Sequence, residues 1–478
     1  MLRGWGPAPR WAPLAVCALV APVAAQDAAR QVERVEQRVL PRLVIRGEPV
    51  VEARLADRMA HYGVPAVSVA VIDGGAIAWA RAWGLADREA GRAATDTTLF
   101  QAASISKPVA ATAALALVER GALDLDTDVN RYLTSWQVPA ADVQAGEAVT
   151  LRRLLTHTAG LTVHGFPGYA RSARVPSTVE VLDGKGNTAP VRIDLKPGSL
   201  WRYSGGGYTV VQLLVSDVAG RAFADVMGET VLEPAGMTSS TYEQPLPEPR
   251  WVAAATGYRA SGDAVDQRWH VYPEQAAAGL WTTPSDLARW GLAILRAHDG
   301  ASGGPVSPAT ARAMLDPSLN NHGLGPGIGP ARRWFGHGGA NEGFRCRLVV
   351  FMDGRGAAIM TNSDRGDGLV AELLGTLADE YGWPDFAPTE KVVVPLTADA
   401  LAALAGRYRV DGSPIELVVS VADGKLYAEA PVLSRVEILP ESATVFFSRE
   451  DGIQFRFVRD PDGVMAVYVM GRRAVKQP

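Results

Sequence analysis

Cysteine is nearly absent from this sequence, with only Cys17 and Cys346 in 478 residues. This scarcity excludes a disulfide framework, and no cysteine–histidine spacing fits a zinc site. Neither sign of charge is in excess, because 47 Lys and Arg stand against 51 Asp and Glu, so we expect no nucleic-acid partner. The composition, 47% hydrophobic and 21% charged, excludes a disordered chain and a multi-span membrane protein. The length predicts two or three domains.

The first 25 residues have the features of a secretory signal peptide. Arg3 and Arg10 give a positive start, and the apolar run from Trp11 to Val23 is too short to span a bilayer. A small-residue cleavage pattern then ends at Ala25. We therefore predict a signal peptide over 1–25 and a periplasmic or secreted protein. A retained membrane anchor is the alternative interpretation.

Strand patterns occur early and late in residues 26–385, with helical and loop-rich sequence between them. Two apolar runs within 67–81 are separated by an Asp-Gly turn, and two more follow within 345–360. The helix-like segment 369–380 comes next. Strands from both ends of one segment predict an α+β domain, an α/β sandwich built on an antiparallel sheet with flanking helices.

The last part of the sequence has a different residue pattern. Residues 383–395 carry three prolines and have no clear period, which predicts a linker over 386–396. Residues 397–478 contain five short alternating runs, at 415–421, 426–430, 445–448, 454–458 and 464–470, punctuated by Asp-Gly pairs. This spacing predicts a small all-β domain, either a barrel or a sandwich.

One stretch points to nucleophilic chemistry. Ser104 and Lys107 lie three residues apart, just before the apolar run 109–118. Pro108 is tolerated only in the first turn of a helix, so both side chains are expected at the start of a buried helix. A lysine placed there tends to lose its proton and can then activate a serine nucleophile. The alternative is an N-cap serine beside a lysine that extends to solvent, and the pair taken alone carries little weight.

Two glycine-rich motifs strengthen this interpretation. Tyr203 precedes three consecutive glycines and an apolar helix pattern. His337, Gly339 and Ala340 precede the strand predicted from residue 345. Glycines at the edge of a strand leave room for a substrate backbone to approach.

Serine-x-x-lysine, tyrosine-x-glycine and histidine-x-glycine, in this order, resemble the beta-lactamase-related serine hydrolases. That family includes class C beta-lactamases, D-alanyl-D-alanine carboxypeptidases, D-aminopeptidases and esterases. Segments 154–161, 232–237 and 278–287 are similar to the same family, and the resemblance covers about residues 50–382. The tail from Thr397 resembles, more weakly, the lipocalin-like domain that some of these proteins carry.

The resemblance implies a fold and a set of roles. The fold is the antiparallel sheet of beta-lactamases and penicillin-binding proteins, with a mostly helical subdomain. Ser104 resembles the acylated nucleophile, Lys107 its base and Tyr203 the proton relay. The backbone N–H groups of Ser104 and Ala340 match the oxyanion hole, and His337 and Gly339 lie in the substrate-binding motif. No metal and no cofactor are implied.

Two positions depart from the family pattern. Gly205 stands where the tyrosine motif usually ends in asparagine, so one polar contact to Lys107 is missing. His337 stands where beta-lactamases carry a lysine, and histidine is mostly neutral at pH 7. Both departures weaken the case for efficient beta-lactam hydrolysis.

The sequence therefore predicts an exported serine hydrolase that acts on a small-molecule or short-peptide substrate. Cleavage of D-amino-acid peptides or small esters is the favoured reaction. Beta-lactamase or D-alanyl-D-alanine carboxypeptidase activity is one alternative, and a penicillin-binding or scaffold protein with little turnover is another. The C-terminal domain is a candidate site of self-association.

Overall fold

The structure, a computed structural model, describes residues 23–431, 433–450, 452–460 and 462–478. The signal-peptide prediction falls mostly on residues 1–22, which lie outside this description. No helix within the described ranges is both long and apolar enough to cross a membrane. The α-helices are α1 (Val23–Gln37), α2 (Leu55–Tyr62), α3 (Ser106–Glu119), α4 (Leu151–Leu155), α5 (Thr178–Leu182), α6 (Gly205–Ala219), α7 (Phe223–Met227), α8 (Gln275–Ala278), α9 (Pro284–His298), α10 (Pro308–Met314), α11 (Gly366–Tyr381) and α12 (Ala398–Leu404).

The strands fall into one central sheet, three short pairs and one barrel. Those before the barrel are β1 (Leu43–Ile45), β2 (Ala66–Asp73), β3 (Ala76–Asp87), β4 (Arg92–Ala93), β5 (Phe100–Gln101), β6 (Tyr169–Ala170), β7 (His270–Val271), β8 (Trp281–Thr282), β9 (Gly327–Ile328), β10 (Trp334–Asn341), β11 (Phe344–Phe351), β12 (Gly356–Thr361) and β13 (Thr389–Lys391). Those of the barrel are β14 (Gly406–Val410), β15 (Glu416–Ala422), β16 (Lys425–Ala430), β17 (Leu433–Pro440), β18 (Val445–Ser448), β19 (Gln454–Arg459), β20 (Met465–Val469) and β21 (Arg472–Lys476).

The central sheet has the strand order β4-β3-β2-β12-β11-β10-β9. Strand β2 pairs antiparallel with β12, in a register that places Val69 opposite Ile359. Strands from the two ends of the domain therefore meet in one sheet, which confirms the predicted α+β fold. The sheet continues through β11 and β10 to the very short β9, which leaves most of β10 near an open edge.

Helices cover both faces of this sheet. Apolar side chains alternate along β2, so that Ala70 contributes to one core and Val69 to the other. The larger core includes α3, α6 and α9, and the smaller one includes α2 and α11. Helix α3 is buried from Ser106 to Leu117, as its uniformly apolar sequence predicts. The start of α3 is thereby fixed at the centre of the domain, behind β10.

Strands β14 to β21 close into an eight-stranded barrel. The barrel confirms the predicted small all-β fold, and its core contains alternate side chains such as Tyr408, Phe446 and Phe457. The proposed linker, residues 386–396, contains β13, which pairs in parallel with β1. The segment that joins the two folded parts is therefore ordered against the N-terminal region.

Candidate active site

Ser104 lies in a single 3₁₀ turn, Ala103–Ile105, that leads directly into α3. The residue before it, Ala103, has a positive φ of 48°, which is uncommon for a residue with a side chain. Such local strain is often found where a fold presents a functional group. The Ser104 side chain is half-buried and opens into a cavity.

Lys107 lies one turn into the helix and is only 2% exposed. Its Nζ donates to Ser104 Oγ at 3.0 Å and to the Ala277 carbonyl oxygen at 2.8 Å. No carboxylate of the described residues forms an ion pair with it. Desolvation by burial lowers the pKa of Lys107 to about 7. Near neutral pH, therefore, a large fraction of the molecules carries an uncharged amine that can accept the serine proton.

Tyr203 stands opposite this pair, at the end of the loop before α6. Ser204 caps that helix, since its Oγ accepts from the Gly207 N–H at 2.9 Å. The Tyr203 ring lies 4.8 Å from Lys107 Nζ, measured to the ring centroid. Burial raises the pKa of Tyr203, and the nearby Ser104 offsets part of that rise. The Tyr203 hydroxyl is thus protonated at neutral pH, and it is buried without a hydrogen-bond partner among the described residues.

Histidines surround Tyr203 on several sides. His157, His164 and His337 place their ring centroids 4.3, 4.9 and 6.0 Å from that of Tyr203. His157 Nδ1 accepts from the Ser204 N–H at 3.1 Å, which supports a structural role for this histidine. Burial lowers the pKa of His157 well below its usual value and that of His322 to about 4. The imidazoles of His157 and His322 are therefore uncharged at neutral pH.

Strand β10 forms the opposite wall and approaches closely because it is rich in glycine. A methyl group placed on Gly339 would lie 2.3 Å from the Ala102 carbonyl oxygen and 2.4 Å from Cys346 Sγ. No side chain fits there, so the glycine is what lets the strand contact the turn that carries Ser104.

The register of β10 turns the Ala340 amide away from β11. Glu342 and Gly343 form a two-residue turn, so Asn341 and Phe344 form a hydrogen-bonded pair. Pairing alternates along an antiparallel ladder, and Ala340 therefore points its N–H and C=O away from β11. Beyond residue 336 that edge has no strand partner within the described ranges. The Ala340 amide therefore lies on the open edge of β10, in the lining of the cavity that also contains Ser104.

His337 lies on the same strand but carries no charge at neutral pH. Its Nδ1 lies 2.5 Å from the Gly338 carbonyl oxygen. Burial, together with the positive charge of Lys107, lowers the pKa of His337 to about 3. The side chain therefore cannot serve as the cation that a lysine provides at this position in beta-lactamases.

Gly205, the other departure from the family pattern, is a tightly enclosed position. A methyl group there would lie 2.8 Å from a ring carbon of Phe166 and 3.0 Å from the His164 carbonyl oxygen. Because Phe166 fills the space, an asparagine side chain has no room in this arrangement. The Ala277 carbonyl supplies a polar contact to Lys107.

A cavity of about 850 Å³ joins these groups. Five of the six predicted site residues line it, and Lys107 lies directly behind Ser104. The cavity also extends beyond β10 to α11 and to residues 386–389, where it meets Arg347. Sequence reasoning missed Arg347 and His322, because neither belongs to a motif. No group of His, Cys, Asp or Glu in the described ranges could hold a metal ion.

A serine in contact with a desolvated lysine at the start of a buried helix, facing an open glycine-rich strand edge, defines the class of serine hydrolases with a beta-lactamase fold. The sequence model described as Beta-lactamase matches residues 51–380. The chain therefore belongs to the beta-lactamase family, and the resemblance drawn from its motifs is confirmed.

Curated relatives and a solved structure agree with this assignment. The chain is 24% identical over 428 residues to penicillin-binding protein 4* of Bacillus subtilis, covering 83% of this chain and 90% of that protein. It is 35% identical over 185 residues to esterase EstB of Burkholderia gladioli, covering 36% and 46%. The octameric penicillin-binding protein homologue from Pyrococcus abyssi has the same fold, with a TM-score of 0.60, 22% identity, and coverage of 88% of this chain and 98% of that one.

Proposed function

We propose that this protein is a serine hydrolase that forms an acyl-enzyme at Ser104 and cleaves amide or ester bonds in small molecules or short peptides. The observation that carries the proposal is the 3.0 Å contact between Lys107 Nζ and Ser104 Oγ. Because burial lowers the pKa of this lysine to about 7, the amine is able to act as a base at neutral pH.

Acylation begins when neutral Lys107 takes the proton of Ser104 Oγ as the oxygen attacks the substrate carbonyl. The N–H groups of Ser104 and Ala340 stabilise the negative charge on the carbonyl oxygen. Tyr203, which keeps its proton at neutral pH, donates it to the leaving group and regains one from Lys107. The acyl group then remains on Ser104 as an ester, and Lys107 is neutral again.

Deacylation repeats these steps with water as the nucleophile. A water molecule that enters the cavity gives its proton to the Lys107–Tyr203 pair and attacks the ester carbonyl. The same two amides hold the oxyanion, and the proton returns to Ser104 Oγ as the carboxylic acid leaves. The unpartnered Tyr203 hydroxyl is the group best placed to contact both the leaving group and this water.

Labelling with a fluorophosphonate probe tests the nucleophile. We expect a single label on Ser104, detected by intact mass and peptide mapping, and no label in Ser104→Ala. Ser302, an exposed serine between Ala301 and Gly303, is the matched control, and Ser302→Ala should label like the wild type. A label on Ser302 in the wild-type protein would overturn the assignment.

D-amino-acid peptides and small esters are the proposed substrates. The similarity to an esterase supports ester substrates. The uncharged His337 supports substrates whose binding needs no cation on β10. A panel of D-amino-acid amides, short-chain esters and a chromogenic cephalosporin distinguishes these from beta-lactams. Faster turnover of the cephalosporin than of every ester and amide would refute this preference.

A penicillin-binding protein with little turnover is the second candidate, and Gly205 favours it. The position lacks the amide that the family pattern places beside the lysine, and Phe166 leaves no room for one. If deacylation is slow, a chromogenic ester should give a burst of one product per site and then a slow steady phase. Multiple turnovers without a burst favour the hydrolase.

Export and self-association complete the proposal. The sequence of residues 1–25 supports export, and N-terminal sequencing of the secreted protein should begin at Gln26. The barrel β14–β21 is the proposed site of self-association, for which the similarity to an octameric homologue is the support. Light scattering coupled to gel filtration should give a mass above that of one chain.

A further inference from the structure

Two buried carboxamides connect strand β10 to the segment that carries Ser104. Asn341, the last residue of β10, is 5% exposed, and Gln101, three residues before Ser104 in β5, is 1% exposed. Asn341 Nδ2 donates to Gln101 Oε1 at 2.8 Å and to the Ala278 carbonyl oxygen at 3.2 Å. Gln101 Nε2 donates to the His270 carbonyl oxygen at 2.7 Å. The two side chains therefore form a row of hydrogen bonds that joins β10 to β5, β7 and α8.

The orientation of both carboxamides is determined by their partners. A backbone carbonyl oxygen can only accept, so Gln101 turns its NH₂ group toward His270 and its oxygen toward Asn341. Asn341 then faces two acceptors, and its NH₂ group supplies one hydrogen to each of them. Neither a carboxylate nor an apolar side chain at position 341 can make both bonds.

This row of hydrogen bonds places the strand that carries the Ala340 amide. Within the described ranges, the bond from Asn341 to Gln101 is the only hydrogen bond that joins β10 directly to residues 100–106. Side chains alternate along a strand, so Asn341 and Gly339 face the same side. Gly339 packs against residues 100–106 with no room for a side chain, and Asn341 bonds to them. Ala340 lies between these two contacts.

We propose that Asn341 is a positioning residue for the oxyanion hole, which acts through Gln101 to hold the N–H group of Ala340 in place relative to that of Ser104. This inference rests on the proposed function. The two N–H groups belong to different segments of the chain, and both must reach the same oxygen atom. A displacement of about 1 Å in a catalytic site can cost about 10²-fold in rate. The Asn341 side chain lies outside the lining of the cavity, so it acts through the backbone.

The variant Asn341→Ala tests the proposal with a neutral chromogenic ester. The kcat should fall about 10- to 100-fold while KM changes less than about threefold, because the oxyanion hole stabilises the transition states of both chemical steps more than the bound ester. An alkylboronic acid, whose boron binds Ser104 Oγ to form a tetrahedral adduct, provides a second measurement. Its inhibition constant should rise by about the factor by which kcat/KM falls.

The pH profile distinguishes this role from a general loss of structure. The midpoint of kcat/KM against pH should stay within about 0.5 pH unit of the wild-type value, because the contact between Lys107 and Ser104 is not altered. A larger shift would overturn the proposal, since Asn341 would then act through α8, whose Ala277 carbonyl contacts Lys107. Wild-type kcat in Asn341→Ala would overturn it as well.

The matched control is Asn130→Ala. Asn130 is also partly buried, and its Nδ2 donates to the Val138 carbonyl oxygen at 2.9 Å, but it lies outside the cavity lining. This variant should lose stability and keep the wild-type kcat and boronic acid affinity.

Gln101→Met removes the same hydrogen bond from its other end. Methionine is unbranched and of similar length, so it fills the space of the glutamine. We expect kcat to fall, and the double variant with Asn341→Ala should fall about as far as the more affected single variant, because one bond is lost in each case. Independent, additive falls would overturn the proposal. If Asn341→Ala does not fold, wild-type kcat in Gln101→Met overturns it.

Failure of the proposed function has a different signature. If Ser104 is not the nucleophile, the wild-type protein forms no fluorophosphonate label and no boronic acid adduct at Ser104. If only Asn341 is misassigned, wild-type labelling and ester hydrolysis remain, and Asn341→Ala hydrolyses the ester at the wild-type rate.

Discussion

Replacing Lys107 by methionine should abolish activity and, at neutral pH, stabilise the protein. The lysine is 2% exposed. Methionine is unbranched and of similar length, so its side chain can occupy the same buried space. Burial lowers the pKa of Lys107 from 10.5 to about 7. At pH 7 the unfolded chain therefore binds more protons at this site than the folded protein does, and folding is opposed by the free energy of burying or deprotonating the amine.

The size of the effect follows from the two pKa values. A shift of this size corresponds to about 4 kcal/mol at pH 7. Methionine also loses the hydrogen bonds to Ser104 and Ala277, worth about 1 kcal/mol each, so the net gain should be about 2 kcal/mol. Between pH 7 and 10.5 the unfolded chain binds more protons at this site, so raising the pH stabilises the wild type. The excess of the variant's free energy of unfolding over that of the wild type should therefore fall by about 2 kcal/mol between pH 7 and 9.

Urea unfolding of both proteins at pH 7, 8 and 9 measures this difference, and other titrating groups cancel between them. Lys185→Met, at an exposed site, is the control, and its effect on the free energy of unfolding should not change over this range. A difference in the free energy of unfolding between Lys107→Met and the wild type that stays constant with pH would refute the reasoning.

Lys107→Arg separates charge from base function. It should lose activity by about 10²- to 10⁴-fold without the gain in stability, since arginine stays protonated.

Three further outcomes are expected. Tyr203→Phe should lower kcat for esters and amides by about 10²-fold or more through loss of a proton donor, and circular dichroism should show an intact fold. Gly339→Ala should lower kcat/KM at least tenfold, as the methyl group displaces β10 from the Ala102 carbonyl; Gly327→Ala, at an open strand position, is its control. Wild-type kcat/KM should rise with pH to a plateau, with a midpoint near the Lys107 pKa of about 7; a profile flat from pH 5 to 9 would contradict the lysine base.

Local sequence signals predicted the elements that carry the chemistry. Pro108 and the apolar run after it placed Ser104 and Lys107 at the start of a buried helix, which is α3. Asp-Gly turns and alternating runs predicted five strands of the barrel. Each of these signals depends on neighbours in sequence, so no knowledge of the tertiary fold was needed.

Three barrel strands and two residues near the site, Arg347 and His322, escaped prediction for physical reasons. Strands β14 and β21 are rich in arginine. Their buried residues Tyr408 and Ala474 therefore do not form a clear alternation of apolar and polar residues in the sequence. The pairing of β17 with β16 shifts register near Ala430, and β17 ends at Pro440. Arg347 fits the alternation of inward and outward side chains along β11, and only the folded chain shows that no carboxylate of the described residues pairs with it.

The site keeps two kinds of positive charge apart. Lys107 must lose its proton to act as a base, and its pKa is lowered by desolvation, with no contribution from a neighbouring cation. A lysine at position 337 would add a fixed charge beside Ser104, whereas the guanidinium of Arg347 lies behind Gly338, on the face of the sheet turned toward α11. The charge of Arg347 contributes to the lowered pKa of His337, yet it is not among the causes of the Lys107 shift. The pKa of Lys107 is therefore set by burial, independently of the guanidinium of Arg347.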